Sequence, residues 1–263
     1  MRKKVGDVMK IVTWNLRCQW KEVDGVNAFI HRAGFIYEKT MQELPDVIAF
    51  QEIVPQSLEL LQRMLKEYEF VGGMRSKTYG DEGLYTAFRK DRFALLASDF
   101  FWLSQNPYEP GSCYENENEC PRVCSYAKFR DKTDNQVLNV FNLHLDHFSE
   151  RANELGLKYV FNYIDARKES IDKDKTVLLG DFNALPQSRT IQTASSAEWL
   201  SESTKDINVT FHGFGAENYR KIDYIFISQA LQGRVKSVQT WTDEHNGIYL
   251  SDHYPVCVEL DER

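Results

Sequence analysis

The chain has 263 residues, 42% of them hydrophobic and 13% aromatic, which suffices for one large domain with a buried core. Its formal net charge of −7 argues against a broad surface that coats duplex DNA, since counterion release rewards basic proteins there. A small phosphate ester held locally stays open, with a hard cation supplying the missing positive charge.

No linker or fixed-period repeat divides residues 1–263, so a single domain is expected, its core spanning about residues 10–260, as a monomer. No apolar run reaches roughly the 18 residues of a membrane span, and the basic N-terminus lacks the apolar stretch of a signal peptide. The odd number of cysteines, five, reads most simply as reduced thiols in a cytoplasm.

In chain order, Lys10 to Leu16 reads as a strand that ends at Asn15. A helix is expected over Val26 to Leu44, with Val26, Phe29, Ile30, Ala33 and Tyr37 apolar, stopped by Pro45. Val47 to Phe50 is a short continuous apolar run, as in a strand buried on both faces. Pro55 opens a second helix with Leu58, Leu61 and Leu65 on one face. Strands follow at Phe70 to Gly72, Leu84 to Arg89 and Phe93 to Leu103. Ser104 to Pro121 has no apolar period and reads as a long surface loop, of the kind often used in function.

Val123 to Arg130 and Gln136 to Leu143 form a hairpin about the turn Asp131 to Asn135. Ser149 caps a helix to about Glu169, with Ala152, Leu155, Tyr159 and Tyr163 inward. Thr176 to Leu179 is another buried strand, and the last third adds strands at Asn208 to Phe211, Ile222 to Ser228, Val235 to Trp241 and Pro255 to Leu260. Helices alternating with strands of both buried and half-buried type indicate an α/β layered architecture with mixed sheets.

Polar clusters fall where these apolar runs end. Glu52 follows Val47 to Phe50, where an unpaired carboxylate would be costly, so a cation or hydrogen-bonding partner is expected; a helix-capping or salt-bridged glutamate before Pro55 is the alternative. Magnesium favours such carboxylates together with water and phosphate oxygens. Asp181 and Asn183 share a face if the chain stays extended, and could then orient one attacking water; Gly180-Asp181-Phe182-Asn183 before Pro186 is equally good turn chemistry. His144 repeats this spacing with Asp146 and could donate to a phosphoryl oxygen, while Asp146 and His147 also read as the start of the loop before Ser149. Asp223, inside an apolar strand, would orient His253 of the Ser251-Asp252-His253 sequence; an ion pair with Lys221 or Arg220 is the alternative. Cys113, Cys120 and Cys124 lack a fourth ligand at a usual zinc spacing, and His31, His212 and His245 have no companion spacing.

The ordered set Thr13-Trp14-Asn15, Asp46 to Glu52, Asn142 to Leu145, Gly180 to Asn183, Lys221 to Tyr224 and Ser251 to His253 resembles the endonuclease/exonuclease/phosphatase superfamily over residues 10 to 260. Each motif is short; six in this order are specific. The resemblance implies a four-layer α/β sandwich, two mixed β-sheets packed face to face with helices outside. By motif it makes Glu52 the principal Mg²⁺ ligand (Mn²⁺ a possible substitute), with Asn15 and Asp252 close to the ion. Asp181 would position or deprotonate water with Asn183, while His144 and His253, the latter held by Asp223, would bind the scissile phosphate. The implied substrate is a phosphodiester on single-stranded nucleic acid ends or nucleotides, or else a small non-nucleic ester such as an inositol phosphate or a sphingomyelin-like ester.

Within the superfamily, Phe101 to Ser104 and Pro121 to Ala127 resemble the deadenylase and nocturnin-like branch and its bacterial relatives, which makes Arg122 a further phosphate-binding residue. Cys113 to Glu117 stands where bacterial relatives often carry a Gly-Trp-Asp-like sequence. Arg151 reads as a cation on a helix face.

Overall fold

The computed structural model describes residues 8–18, 22–216 and 218–262. Its elements in chain order are β1 (Val8–Asn15), α1 (Phe29–Glu43), β2 (Val47–Ile53), α2 (Pro55–Met64), β3 (Tyr68–Met74), β4 (Gly83–Arg89) and β5 (Phe93–Trp102). There follow β6 (Val123–Asp131), β7 (Val137–His144), α3 (Glu150–Ala166), β8 (Thr176–Asp181), α4 (Arg189–Ser195), β9 (Leu200–Glu202) and β10 (Asp223–Ser228). The last are α5 (Gln229–Gln232), β11 (Val235–Thr240), β12 (Glu244–His245), β13 (Ile248–Tyr249) and β14 (Val256–Asp261).

Two six-stranded mixed sheets carry the fold, ordered β11-β14-β1-β2-β4-β3 and β5-β6-β7-β8-β10-β9. Side chains alternate faces along a strand, so each sheet presents two apolar surfaces. Ile11, Val47, Ala49 and Val258 of one sheet meet Phe129, Val140, Val177, Leu179 and Ile225 of the other between the sheets. The intervening residues Val12, Trp14, Ile48 and Phe50 pack outward with Phe29, Ala33, Ile36 and Leu61 of the helices. Phe141, Leu178 and Phe226 likewise face Leu157, Val160 and Tyr163 of α3. The result is helix, sheet, sheet, helix: the four-layer sandwich expected. No described helix is long and apolar enough to cross a membrane.

The sequence reading and the structure differ in places. The first helix begins at Phe29, and Val26, Ile30 and Tyr37 stand exposed, because the buried stripe runs through Phe29, Ala33, Ile36 and Thr40. Around Asn208 to Phe211 no strand forms; Phe211 alone bridges to Arg220 and to His253. The Ser149 cap is as expected, its hydroxyl accepting from the Ala152 N–H, with α3 ending at Ala166. The elements α4 and β9 carry too few residues to show a period.

The alternation has a consequence at the strand ends. Asn15, His144, Asp181 and Asp223 fall in phase with Ile11, Val140, Val177 and Ile225, the residues that face between the sheets. Where the apolar filling stops, these four polar side chains therefore point into the same gap. Beneath them Gln51 and Asn142 bridge the sheets, Gln51 Nε2 donating to Asn142 Oδ1 at 2.8 Å and Asn142 Nδ2 to the Phe50 carbonyl at 3.1 Å.

Arg32, fully buried, ties the outer layer to this end of the molecule. Its guanidinium donates to the carbonyls of Asn27 (2.6 Å), Leu16 (2.8 Å), Arg17 (2.6 Å) and Leu250 (2.6 Å). Leu16 and Arg17 follow Asn15, and Leu250 precedes Ser251-Asp252-His253, so one side chain fixes both segments. Arg32→Met should leave four carbonyls without a donor and lower unfolding free energy by about 3 kcal/mol, read from urea melts.

Candidate active site

Asp181 ends β8, between β7 and β10. Its register partners are His144 on one side and Asp223 on the other, so three ionisable groups stand in a row across three strands. The Asp181 Oδ2 atom lies 3.6 Å from His144 Nε2 and 3.8 Å from His253 Nε2, and it accepts from Asn15 Nδ2 at 3.0 Å. Gly180 before it has φ 144°, and a Cβ there would fall 2.0 Å from the Leu143 carbonyl oxygen. Glycine is what lets β8 approach β7 closely enough to present Asp181.

After Asp181 the chain does not stay extended. Asn183 adopts φ 46°, its N–H donates to Asp181 Oδ1 at 2.9 Å and its Nδ2 to the Leu145 carbonyl at 3.1 Å. Turn chemistry thus holds the Asp181 carboxylate in place, and Asn183 still lines the cavity.

Glu52 owes its direction to a backbone irregularity. Pairing of β2 with β4 slips between Phe50 and Ile53, and Glu52 itself has φ 57°. A non-glycine residue held there at a bulge is a strained feature of the kind found at working sites. Its Oε1 accepts from Asn15 Nδ2 at 3.0 Å, so the hydrogen-bonding partner expected for this carboxylate is Asn15 rather than a cap or a salt bridge. Asn15 therefore bridges Glu52 and Asp181 through its nitrogen, with its oxygen on the Arg17 N–H at 3.0 Å.

His253 lies against Asp223, Nδ1 to Oδ2 at 2.8 Å. Lys221 instead pairs with Glu202, and the Arg220 guanidinium sits over the Phe211 ring. Burial would lower the His253 pKa, but the charges of Asp223, Asp181 and Asp252 outweigh it and raise it to about 10. His144 goes the other way: burial, then the Arg122 charge, holds it well below the usual histidine range. It is a neutral ring whose Nε2 meets Arg122 Nη1 at 3.1 Å. Burial and the Asp223 charge push Asp181 up to about 7.

Arg122 is nearly buried, with Nε 3.3 Å from Asp146 Oδ2 and Nη2 2.7 Å from His147 Nδ1. Asp146 Oδ1 accepts from the N–H groups of Phe148 and Ser149, as the start of a loop should. Arg151 faces solvent beside Glu154.

Glu52, Arg122, His144, Asp181, Asn183, Asp252 and His253 line one cavity of about 390 Å³, while Asn15 and Asp223 are buried and do not line it. Sequence reasoning missed four others there: Arg17, Arg75, Glu82 and Arg220. Arg17 lies 3.8 Å from Asp252 and 3.3 Å from Asp24; Arg75 lies 3.0 Å from Glu82. Glu82 could have been found by an argument like that used for Glu52, as an acid directly before the apolar strand β4.

The donor set suits a hard cation. Ligand atoms of Glu52, Glu82 and His144 come within 4.8 Å of one another. Burial and the Glu52 charge push Glu82 up to about 7, so negative charge is in excess in this corner. The two carboxylates, Glu52 and Glu82, offer the oxygen donors that suit a magnesium-like ion.

The sequence matches the profile of the Endonuclease/Exonuclease/phosphatase family over residues 12–253. No protein of curated function gives a significant sequence match. Among solved structures, an endonuclease/exonuclease/phosphatase protein from Bacteroides vulgatus is 27% identical, with TM-score 0.89 over 97% of this chain and 99% of its own. A mannosyl-6-phosphatase from Bacteroides thetaiotaomicron is 25% identical, with TM-score 0.83 over 96% of this chain and 99% of its own. The human nocturnin catalytic domain, with bound sulfate, shares the fold at 17% identity, with TM-score 0.72 over 96% and 93%.

Proposed function

This chain belongs to the endonuclease/exonuclease/phosphatase family of phosphate-ester hydrolases, and we propose that it is a Mg²⁺-dependent phosphoesterase acting on a small ester of nucleotide or sugar-phosphate size. The observation that carries the proposal is the placing of His144 and His253 at 3.6 and 3.8 Å from Asp181, in the cavity of about 390 Å³ that Glu52 also lines. That volume accommodates a single nucleotide or a phosphorylated sugar. The 25% identical mannosyl-6-phosphatase favours the sugar phosphate. A single-stranded nucleic acid end is the second reading, favoured by Arg220 stacked on Phe211 beside His253, a cationic aromatic ledge on which a base could rest.

Glu52 would hold the magnesium ion, with Glu82 and Asp252, which line the same cavity, and Asn15, which donates to Glu52, close by. When bound it supplies positive charge against a phosphoryl oxygen and the incoming water. As placed, Asn15 orients the two carboxylates through its nitrogen; its oxygen would face the ion only after the amide turns over.

Asp181 takes the proton from the attacking water, its carboxylate held by the Asn183 and Asn15 amides. His253, charged and anchored by Asp223, stabilises the phosphoryl oxygens as charge develops, and Arg122, which lines the same cavity, adds a second cation. His144 accepts from Arg122 in the substrate-free arrangement, so it aims that guanidinium; it donates to the phosphate only in its other tautomer. Water attacks phosphorus directly, with inversion and no covalent intermediate.

Purified protein should turn over a chromogenic phosphate ester with Mg²⁺, lose that turnover in EDTA and recover it with Mg²⁺ or Mn²⁺. A panel of nucleotides, sugar phosphates, inositol phosphates and single-stranded oligonucleotides then ranks the substrates. Absence of turnover on every member would refute the assignment.

A further inference from the structure

Cys120, Asp146 and His147 form a cluster beside Arg122 that takes no direct part in the hydrolytic chemistry. One ligand atom from each comes within 4.8 Å of the other two. Cys120 lies in the loop before β6, and the other two lie in the turn between β7 and α3, so two separate segments meet here. The cluster borders the cavity: Cys120 and His147 both reach it, Cys120 half-buried and His147 exposed. The Cys120 thiol makes no hydrogen bond among the described residues. Cys113, in the same loop, is near enough for the charges of Cys120 and Asp146, after burial, to raise its thiol.

We propose that Cys120, Asp146 and His147 form a second metal site, for a thiophilic divalent ion such as zinc, distinct from the oxygen-lined site at Glu52. A thiolate, an imidazole nitrogen and a carboxylate oxygen are a zinc donor set, and three protein ligands leave a fourth position for water. Magnesium discriminates against sulfur and does not compete there. The ion takes the Cys120 sulfur as thiolate, releasing its proton to solvent. Spacing along the chain hides the site, because the cysteine lies well before the adjacent Asp-His pair.

Occupancy has a consequence for hydrolysis. Asp146 and His147 are both present partners of Arg122, at 3.3 and 2.7 Å. A dication held between them repels that guanidinium and takes away the groups that aim it. Zinc at this site therefore inhibits; this second step rests on Arg122 binding phosphate, as proposed above, whereas the metal binding itself does not.

Metal-stripped, reduced protein is titrated with Co²⁺ in excess Mg²⁺, following thiolate-to-cobalt charge-transfer absorption. One equivalent should produce the band, and zinc should abolish it. Glu52→Gln should retain it, while Cys120→Ser should lose it and His147→Ala should weaken cobalt affinity by about tenfold or more, as loss of a ligand does. No band, or a band that persists in Cys120→Ser, overturns the site. In a parallel assay with saturating Mg²⁺, the zinc concentration giving half inhibition should rise by about tenfold or more in Cys120→Ser, each variant being referred to its own zinc-free rate. A cobalt band without zinc inhibition keeps the site and overturns the coupling to Arg122. A protein with no hydrolytic activity fails the proposed function, and the cobalt titration still decides the site.

Discussion

Asp181→Asn is expected to lower kcat by about a thousandfold or more, since it removes a general base and leaves its volume in place. The side chain is buried and central: Asn15, the Asn183 N–H, His144 and His253 all converge on it. An asparagine there can still accept from Asn15 through its oxygen, but it takes no proton from water. Stability should move the other way. Asp181 and Asp223 are register partners across β8 and β10, two buried carboxylates facing one another. Neutralising one relieves that repulsion, so the metal-free variant should melt at the same temperature as the parent or higher. The pairing of lost turnover with retained stability separates a catalytic group from a structural one. Activity within tenfold of the parent would exclude Asp181 as the base.

The sequence exposed this site because polar residues at strand ends inherit the phase of the strand. Asn15, His144, Asp181 and Asp223 could be singled out as polar intrusions in apolar runs, and the period of two then aims all four between the sheets. His253 and Asp252 were readable for a different reason, as an acid and an imidazole adjacent in one short segment just before β14. Glu52 was found, although its direction comes from a bulge and a left-handed backbone that no periodicity announces. Arg75 and Arg220 carry no such signal. Each is an ordinary surface-type cation in sequence, and only the folded chain shows Arg75 against Glu82 and Arg220 over Phe211 at the cavity. Arg32 was invisible for a similar reason: its four acceptors are backbone carbonyls, which every sequence has. The exposed Val26 and Ile30 show the limit of apolar spacing alone, because a partner helix or sheet must exist to cover the stripe.

His253→Ala and Asp223→Asn test whether the imidazole and its carboxylate act as one unit. The 2.8 Å contact fixes Nδ1 as the protonated nitrogen facing Asp223, leaving Nε2 directed at the space beside Asp181. Three acids, Asp223, Asp181 and Asp252, surround the ring and favour its charged form despite burial. A charged Nε2–H donor aimed at a phosphoryl oxygen is worth most in the transition state, so His253→Ala should cost about a thousandfold in kcat with a smaller change in KM. Asp223→Asn leaves the ring in place but removes what holds its proton and orientation, and about a hundredfold loss is expected from removal of a residue that positions a donor. The double variant is the decisive measurement. If Asp223 works only through His253, the double variant is no slower than His253→Ala, because the orienting carboxylate has nothing left to orient. Binding of inorganic phosphate as a competitive inhibitor should weaken in His253→Ala and in the double variant to the same extent. Losses that multiply in the double variant would instead give Asp223 a separate task, and the reading of the pair as a single anion-binding unit would fall.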